Sequence, residues 1–199
     1  MLEMVLAKII TDKQRDIVAC ARRIIVEKGM EHLTTREIAK ELKMTDGALY
    51  RHFKGKRNIL DLLVDDIEET LMNVVMQAAF STKDPVRKLE NIFKTHLSYA
   101  EQRKGISFIV INQILSIRDK GLQRKVFGVI NKYFRVIKII LNEGISQGRF
   151  RKEINLTSAS IIFFGMVQSM VTLWGLSGFR LKLNKNRLEL KRFLSLVKL

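Results

Sequence analysis

With 199 residues, 47% of them hydrophobic and 28% charged, the chain can bury a real core, which excludes an intrinsically disordered protein. Its formal net charge of +16 favours nucleic acid or another polyanion as a partner. Residues 1–55 contain 11 basic and 8 acidic residues, so most of the positive excess lies in the rest of the chain. The single cysteine, Cys20, excludes an intrachain disulfide and fits a reducing cytoplasm.

Apolar residues recur at helical spacing along most of the chain, and the single proline favours long helices. Thr11 and Gln14 have the spacing of a capping box, so a first helix should begin at Thr11 and stop at Gly29. Thr34 and Glu37 repeat this spacing and predict the start of a second helix.

A third helix should follow the cap residue Thr45 and end near Phe53, before Gly55 breaks the chain. Asp84-Pro85 combines an N-cap with a proline in the first turn and predicts another helix start. The later helices are expected at 56–80, 85–103, 106–117, 121–147, from Asn155 or Thr157 to Trp174, and at 184–199. The sequence therefore predicts an all-α fold of about nine helices.

The segment from Leu33 to Lys56 has the features of a helix-turn-helix. Ala39 provides a small residue where two helices cross, and Leu49 and Phe53 provide apolar anchors for the second helix. The side chains that suit phosphate oxygens are Thr35, Tyr50, His52 and Lys56. Those that suit guanine, other base edges or a thymine methyl are Arg36, Arg51, Thr45, Asp46 and Ala48. The alternative is a pair of ordinary amphipathic surface helices.

This segment resembles the N-terminal domain of the TetR family of bacterial transcriptional regulators. The matching features are Thr34-Thr35-Arg36, Ile38-Ala39, Gly47-Ala48-Leu49-Tyr50, His52-Phe53 and Lys54-Gly55-Lys56. Residues 143–155 also resemble the family's boundary before its penultimate helix. One departure is Lys43, which stands in the turn where the family usually has glycine.

The resemblance implies a helix-turn-helix domain in residues 1–55 and a helical effector-binding and dimerisation domain in residues 56–199. It implies a homodimer and a small-molecule effector. By the family pattern, phosphate contacts fall on Thr35, Tyr50, His52 and Lys56. Base-facing positions fall on Arg36, Asp46, Gly47, Ala48 and Arg51.

Residues 155–179 contain no charged side chain, and this run favours a buried or interface helix. Pairing it with residues 184–199 across a twofold axis would form a four-helix dimer interface. Contacts in the last helix are expected from Leu188, Leu190, Phe193, Leu194 and Leu196 or Val197. The alternatives are a membrane span for the uncharged run and a membrane-binding role for the basic last helix.

The second domain has more large apolar residues than a minimal bundle needs, which predicts a ligand pocket; the alternative is that most of them form ordinary core. The expected lining is Phe93, His96, Phe108, Asn112, Phe134, Phe163, Met166, Met170 and Trp174. Further polar groups that can orient a ligand are Tyr99, Gln113, Tyr133 and Gln168. Because acidic residues are sparse on these faces, a neutral or anionic lipophile is favoured over a cationic drug.

These features predict a ligand-responsive transcriptional regulator, most simply a repressor that binds a near-palindromic operator as a dimer and is released by a small lipophilic effector. The alternative is a basic architectural protein that binds DNA or a membrane surface without an effector. The three histidines are scattered and no catalytic motif occurs, so no enzyme is expected. We expect double-stranded DNA, a second copy and an unidentified effector as partners, no cofactor, metal or membrane partner, and a cytoplasmic location.

Overall fold

The computed structural model describes residues 11–51, 53–183 and 188–198, apart from the side chain of Asp46. These residues form nine α-helices and no strand. The helices are α1 (Asp12–Lys28), α2 (Thr35–Glu41), α3 (Asp46–Tyr50), α4 (Lys56–Phe80), α5 (Pro85–Gln102), α6 (Ile106–Ser116), α7 (Lys120–Ser146), α8 (Leu156–Leu176) and α9 (Leu188–Val197). The all-α prediction is therefore confirmed.

Local side-chain caps begin the helices where the sequence predicts them. Thr11 and Gln14 form the complete capping box of α1, while Asp84 and Asn155 cap α5 and α8. Each of these side chains accepts a hydrogen bond from a backbone N–H that the helix itself leaves free. Of the two starts predicted for α8, Asn155 is the cap.

One predicted helix end differs from the structure by more than two residues, and one predicted helix is only partly described. α3 ends at Tyr50 and not near Phe53, although the backbone N–H of Phe53 still donates to the Leu49 carbonyl at 2.9 Å. Apolar spacing continues to Phe53 because that side chain is buried, so periodicity alone extends the helix too far. The predicted last helix includes residues 184–187 and 199, which lie outside the described residues.

Backbone contacts divide the chain into two units. The first comprises residues up to Glu69 together with Ile109–Val126, and the second comprises Thr70–Phe108 and Phe127–Leu199. The contact boundary therefore falls inside α4, whereas the functional division at residues 55 and 56 stays a prediction. In the first unit, α1 and α2 bury Ile17, Ile24, Ile38 and Ala39.

The core of the second unit is an aromatic and aliphatic cluster between α5, α7, α8 and α9. Phe163 of α8 lies edge-on to Phe93 of α5, with ring centroids 6.1 Å apart, and to Phe193 of α9 at 5.4 Å. These edge-to-face contacts hold three helices around one apolar centre. They fix the ring of Phe163, which is completely buried.

The end of α7 is closed by a contact that requires glycine. The Gly144 carbonyl accepts from the backbone N–H groups of Arg149 and Phe150, and the ring of Phe150 then folds back over Gly144. Arg151 continues this closure by donating its backbone N–H to the Val197 carbonyl at 3.0 Å. A β-carbon at position 144 would occupy the place of the Phe150 ring.

We expect Gly144→Ala to lower the free energy of unfolding by about 1–3 kcal/mol, because overpacking must displace the buried Phe150 ring. The matched control is Gly128→Ala, also in α7, where an added β-carbon meets no atom within 4 Å. The control should be neutral or stabilising, since alanine favours a helix interior over glycine. Urea denaturation of both variants measures the effect, and equal midpoints would contradict this packing.

Candidate DNA-binding site

A set of ion pairs fastens α1 to α2. Lys28 Nζ lies 2.6 Å from a carboxylate oxygen of Glu37 and 2.8 Å from one of Glu41, and Arg23 also bonds Glu41 at 2.9 Å. The hydrogen bond from Lys28 lowers the pKa of both carboxyl groups. Because Glu37 is used in this way, only half of the predicted capping box of α2 forms, with Thr34 accepting from the Glu37 backbone N–H at 3.1 Å.

The turn between α2 and α3 has the shape that a helix-turn-helix requires. The Met44 backbone N–H donates to the Ala39 carbonyl at 2.8 Å, across a Lys43 residue held at a φ of 52°. This left-handed conformation costs lysine about 1 kcal/mol relative to the right-handed one. Lysine in place of glycine at position 43 therefore raises the conformational free energy of the turn and leaves its geometry unchanged.

Helix α3 is anchored on one side and free on the other. Leu49 is 0% exposed and Phe53 is 2% exposed, while the hydroxyl of Thr45 caps the helix by accepting from the Ala48 backbone N–H at 3.2 Å. Gly47 and Arg51 are exposed, and Ala48 is half-buried. The Asp46 side chain and His52 lie outside the described residues. The anchored side thus fixes which surface α3 presents to a partner.

Four further predicted contact residues lie on the helix-turn-helix and at the start of α4. The hydroxyl groups of Thr35 and Tyr50 lie 3.3 Å apart, which joins the start of α2 to the end of α3. Tyr50 remains 53% exposed, so its ring still projects into solvent. Lys56 donates to the Met30 carbonyl at 3.0 Å, and Arg36 is exposed. The structure thus brings Thr35 and Tyr50 together, a pairing that side-chain types alone did not reveal.

An ion-pair network in the first unit connects α4 to the start of α7. Lys125 Nζ contacts Asp61 at 2.9 Å and Asp65 at 2.7 Å, and Arg57 contacts Asp119 at 2.9 Å. Asp119 also caps α7 by accepting from the Leu122 backbone N–H at 2.9 Å. Sequence reasoning missed this network because its partners lie about sixty residues apart, and no local pattern marks them.

The predicted pocket residues fall into three groups by burial. The buried ones are Phe93, His96, Phe163 and Trp174. Half-buried side chains packed against the same cluster are Phe108, Phe134, Met166 and Met170. Asn112 is exposed and belongs to the first unit. The structure therefore gathers eight of the nine predicted residues at one cluster, while their role in binding a ligand stays a prediction.

Two features bear on the alternatives left open by the sequence. Among the described helices, α8 is long and apolar enough to cross a membrane by length and composition, and 33% of its most apolar window is buried inside the chain. A core or interface helix passes the same test. No group of three or more His, Cys, Asp or Glu side chains that could hold a metal ion occurs in the described ranges.

Capped helix α2, the tight turn at Lys43 and the anchored helix α3 with its exposed polar side chains together form a helix-turn-helix. This is the motif of helix-turn-helix DNA-binding regulators. Residues 17–63 match the family model described as bacterial regulatory proteins, tetR family. Residues 57–195 match the model described as YsiA-like protein, C-terminal region. The chain belongs to the TetR family and is a transcriptional regulator.

Individual relatives are more distant. The chain is 26% identical over 124 residues to nucleoid occlusion factor SlmA of Haemophilus influenzae, covering 62% of this chain and 57% of that protein. A TetR transcription regulator from Haloarcula marismortui superposes with a TM-score of 0.82 at 16% identity, covering 94% and 99% of the two chains. FadR from Bacillus subtilis, solved with stearoyl-CoA, gives 0.73 at 24% identity, covering 92% and 96%.

Burial lowers the pKa of His96 to about 4, and no charged side chain contributes to this shift. The unfolded chain therefore binds a proton more readily than the folded one between pH 6.5 and 4. The rings that face His96 are those of Tyr99, Tyr133 and Phe164, and none of them carries a charge at these pH values. The stability due to neutral His96 is complete above pH 6.5 and is lost as the pH falls.

Between pH 7 and pH 4, the free energy of unfolding of the natural chain should fall by about 3 kcal/mol more than that of the His96→Phe variant. Comparing the two chains removes the common effect of the carboxyl groups. Urea denaturation at several pH values measures this difference. Parallel pH profiles for the two chains would contradict the burial of an uncharged histidine.

Proposed function

We propose that this regulator is a ligand-responsive repressor, which binds a near-palindromic operator as a homodimer and is released by a small lipophilic effector. The observation that carries the DNA-binding part is the anchored helix α3. Burial of Leu49 and Phe53 leaves the surface with Gly47, Tyr50 and Arg51 exposed. In a helix-turn-helix this surface of the second helix enters the major groove.

The DNA contacts divide by chemistry. Thr35, Tyr50 and Lys56 offer hydroxyl and ammonium donors around the edge of the helix pair, a placement that suits phosphate oxygens. Arg36 and Arg51 offer exposed guanidinium groups that can donate two hydrogen bonds to a guanine. We assign the remaining base-facing positions to Thr45, Asp46, Gly47 and Ala48, and a phosphate contact to His52, from their place in the motif.

The exposed side of α8 supports a dimer. Ile161, Ile162 and Leu173 are 52%, 50% and 58% exposed on a helix without any charged side chain. In α9, Leu190, Phe193, Leu194 and Val197 are buried within the chain, which leaves Leu188 and Leu196 exposed. We therefore narrow the predicted interface in 155–199 to the exposed residues. A twofold pair through this face would deliver two copies of α3 to successive major grooves, about 34–36 Å apart.

The aromatic core of the second unit supports the effector part. It joins fully buried rings to half-buried side chains, including those of Phe134, Phe164 and Met170, which can rearrange around an apolar molecule. The likeness to FadR solved with stearoyl-CoA favours a lipophilic ligand. Release requires the ligand to bind the two states of the repressor unequally, typically by 1–3 kcal/mol. Such a regulator would work in the cytoplasm.

A second candidate is a DNA-binding protein without an effector. The likeness to proteins named nucleoid occlusion factor SlmA and the positive charge outside residues 1–55 favour it. The two candidates differ in whether a lipophilic molecule changes operator affinity. They also differ in sequence preference, because an architectural protein binds random DNA about as well as any single site at matched salt.

The test begins with operators selected from random duplex DNA by the purified protein. Arg36→Ala should weaken operator binding by about 10- to 100-fold, the usual value of one good base contact, and Tyr50→Ala should weaken binding to all sequences. Arg135→Ala is the matched control, because Arg135 is an exposed arginine of α7 that belongs to the second unit and not to the helix-turn-helix motif. Gel-shift titration measures affinity, and light scattering confirms that each variant keeps the mass of the natural protein.

If Arg36→Ala and Tyr50→Ala bind the operator as tightly as the natural protein does, the proposed DNA-binding surface is wrong. Equal binding of random and selected duplexes would favour the architectural candidate.

A further inference from the structure

The core of the second unit contains one polar pair whose hydrogen bonding is incomplete. His96 is 2% exposed and Tyr133 is 1% exposed, and His96 Nδ1 lies 3.2 Å from the Tyr133 hydroxyl. Neither side chain makes another hydrogen bond within the described part of the chain. By contrast, buried Ser160 is satisfied by the Leu156 carbonyl at 2.6 Å, and the Tyr99 hydroxyl by Thr70 at 3.0 Å.

Both possible proton arrangements leave the same capacity unused. If the Tyr133 hydroxyl donates to Nδ1, the Nε2–H of His96 is a free donor and the tyrosine oxygen keeps free lone pairs. If Nδ1–H donates to the tyrosine oxygen, the tyrosine proton is the free donor and Nε2 is the free acceptor. In each case the pair can donate one further hydrogen bond and accept one.

The surroundings of the pair are uncharged and aromatic. The Phe164 ring lies 5.3 Å from the ring of Tyr133 and 6.3 Å from that of His96, and it contacts Phe134 at 5.7 Å. Phe164 and Phe134 are half-buried, so this aromatic wall extends from the buried pair towards the surface. Burial lowers the pKa of His96 to about 4, which keeps the imidazole neutral near pH 7.

The pair keeps the capacity for one further donated and one further accepted hydrogen bond, which an apolar residue of similar shape would lack. A ligand with a polar group of the right kind can use this capacity. A carboxylate, phosphate or ammonium group would find no opposite charge at this pair. An uncharged oxygen fits, because a carbonyl can accept from the free donor and a hydroxyl can also donate.

We propose that His96 and Tyr133 are the polar recognition point of the effector site and hydrogen-bond an uncharged carbonyl or hydroxyl oxygen of an otherwise apolar ligand. This inference rests on the proposed effector site and adds the chemical class of the group that is recognised there. Tyr133 and His96 then determine specificity, while the surrounding rings contribute apolar contact. A ligand with a charged headgroup would place that group elsewhere and its uncharged oxygen at this pair.

The probes are four molecules of equal chain length: 2-octanone, 1-octanol, octane and octanoate. Each is titrated into the full chain at pH 7 while the emission of Trp174 is followed. Trp174 is the single tryptophan, and it belongs to the same core cluster as His96's neighbour Tyr133. We expect the ketone and the alcohol to bind about tenfold more tightly than octane, and octanoate to show no advantage over octane.

Tyr133→Phe removes only the hydroxyl, and this variant should bind the ketone and octane with about equal affinity. Tyr99→Phe is the matched control, because it removes a buried hydroxyl of the same cluster that already bonds Thr70. His96→Phe provides a second variant that should also abolish the preference. Unfolding midpoints measured without probe show whether each variant remains folded.

Three results would overturn the inference. If Tyr133→Phe and His96→Phe keep the natural preference for the ketone, the pair does not hydrogen-bond the ligand. The proposed effector site would be unaffected by that result. A lower unfolding midpoint with an unchanged preference would assign the pair a purely structural role. If none of the four probes binds and none alters operator affinity, the proposed effector site fails and this inference fails with it, while the DNA-binding part is unaffected.

Discussion

The burial of Leu49 and Phe53 is the constraint on which the DNA-binding surface depends. α3 has five residues, and so short a helix has no stability of its own in water. Its two apolar anchors and the Thr45 cap give it one orientation, and the ion pairs of Lys28 hold α2 in place. The outward direction of Arg51 and Tyr50 is therefore a consequence of packing on the opposite side of α3.

The second unit is held together by apolar and aromatic packing, and few of its buried side chains are polar. Its core contains edge-to-face aromatic contacts around Phe163, and the same part of the unit buries the hydrogen-bonded pair of His96 and Tyr133. The uncharged surface of α8 remains outside that core, with Leu173 58% exposed. Helix α8 therefore contributes to two apolar regions. Its inner side belongs to the core cluster that can admit a ligand, and its outer side can pair with a second copy.

Local chemistry made much of the fold predictable. The caps at Thr11, Asp84 and Asn155 act within a few residues, so their sequence signals are direct. The end of α3 was misplaced because burial, and not helix formation, sets the apolar spacing there. Long-range pairs such as Lys125 with Asp65 leave no local signal. For the apolar stripe of the last helix we predicted contacts across a dimer interface, but Leu190, Phe193, Leu194 and Val197 are buried in the chain's own core. Periodicity finds an apolar stripe and does not tell which surface covers it.

The most direct measurement is a hydroxyl-radical footprint of the purified protein on a selected operator. If anchored α3 helices are presented in twofold pairs, two protected regions should appear about one helical turn apart and be related by the operator's dyad. Loss of Arg36 should remove both regions together. A single asymmetric region, or uniform protection without sequence preference, would contradict DNA reading by twofold pairs of α3.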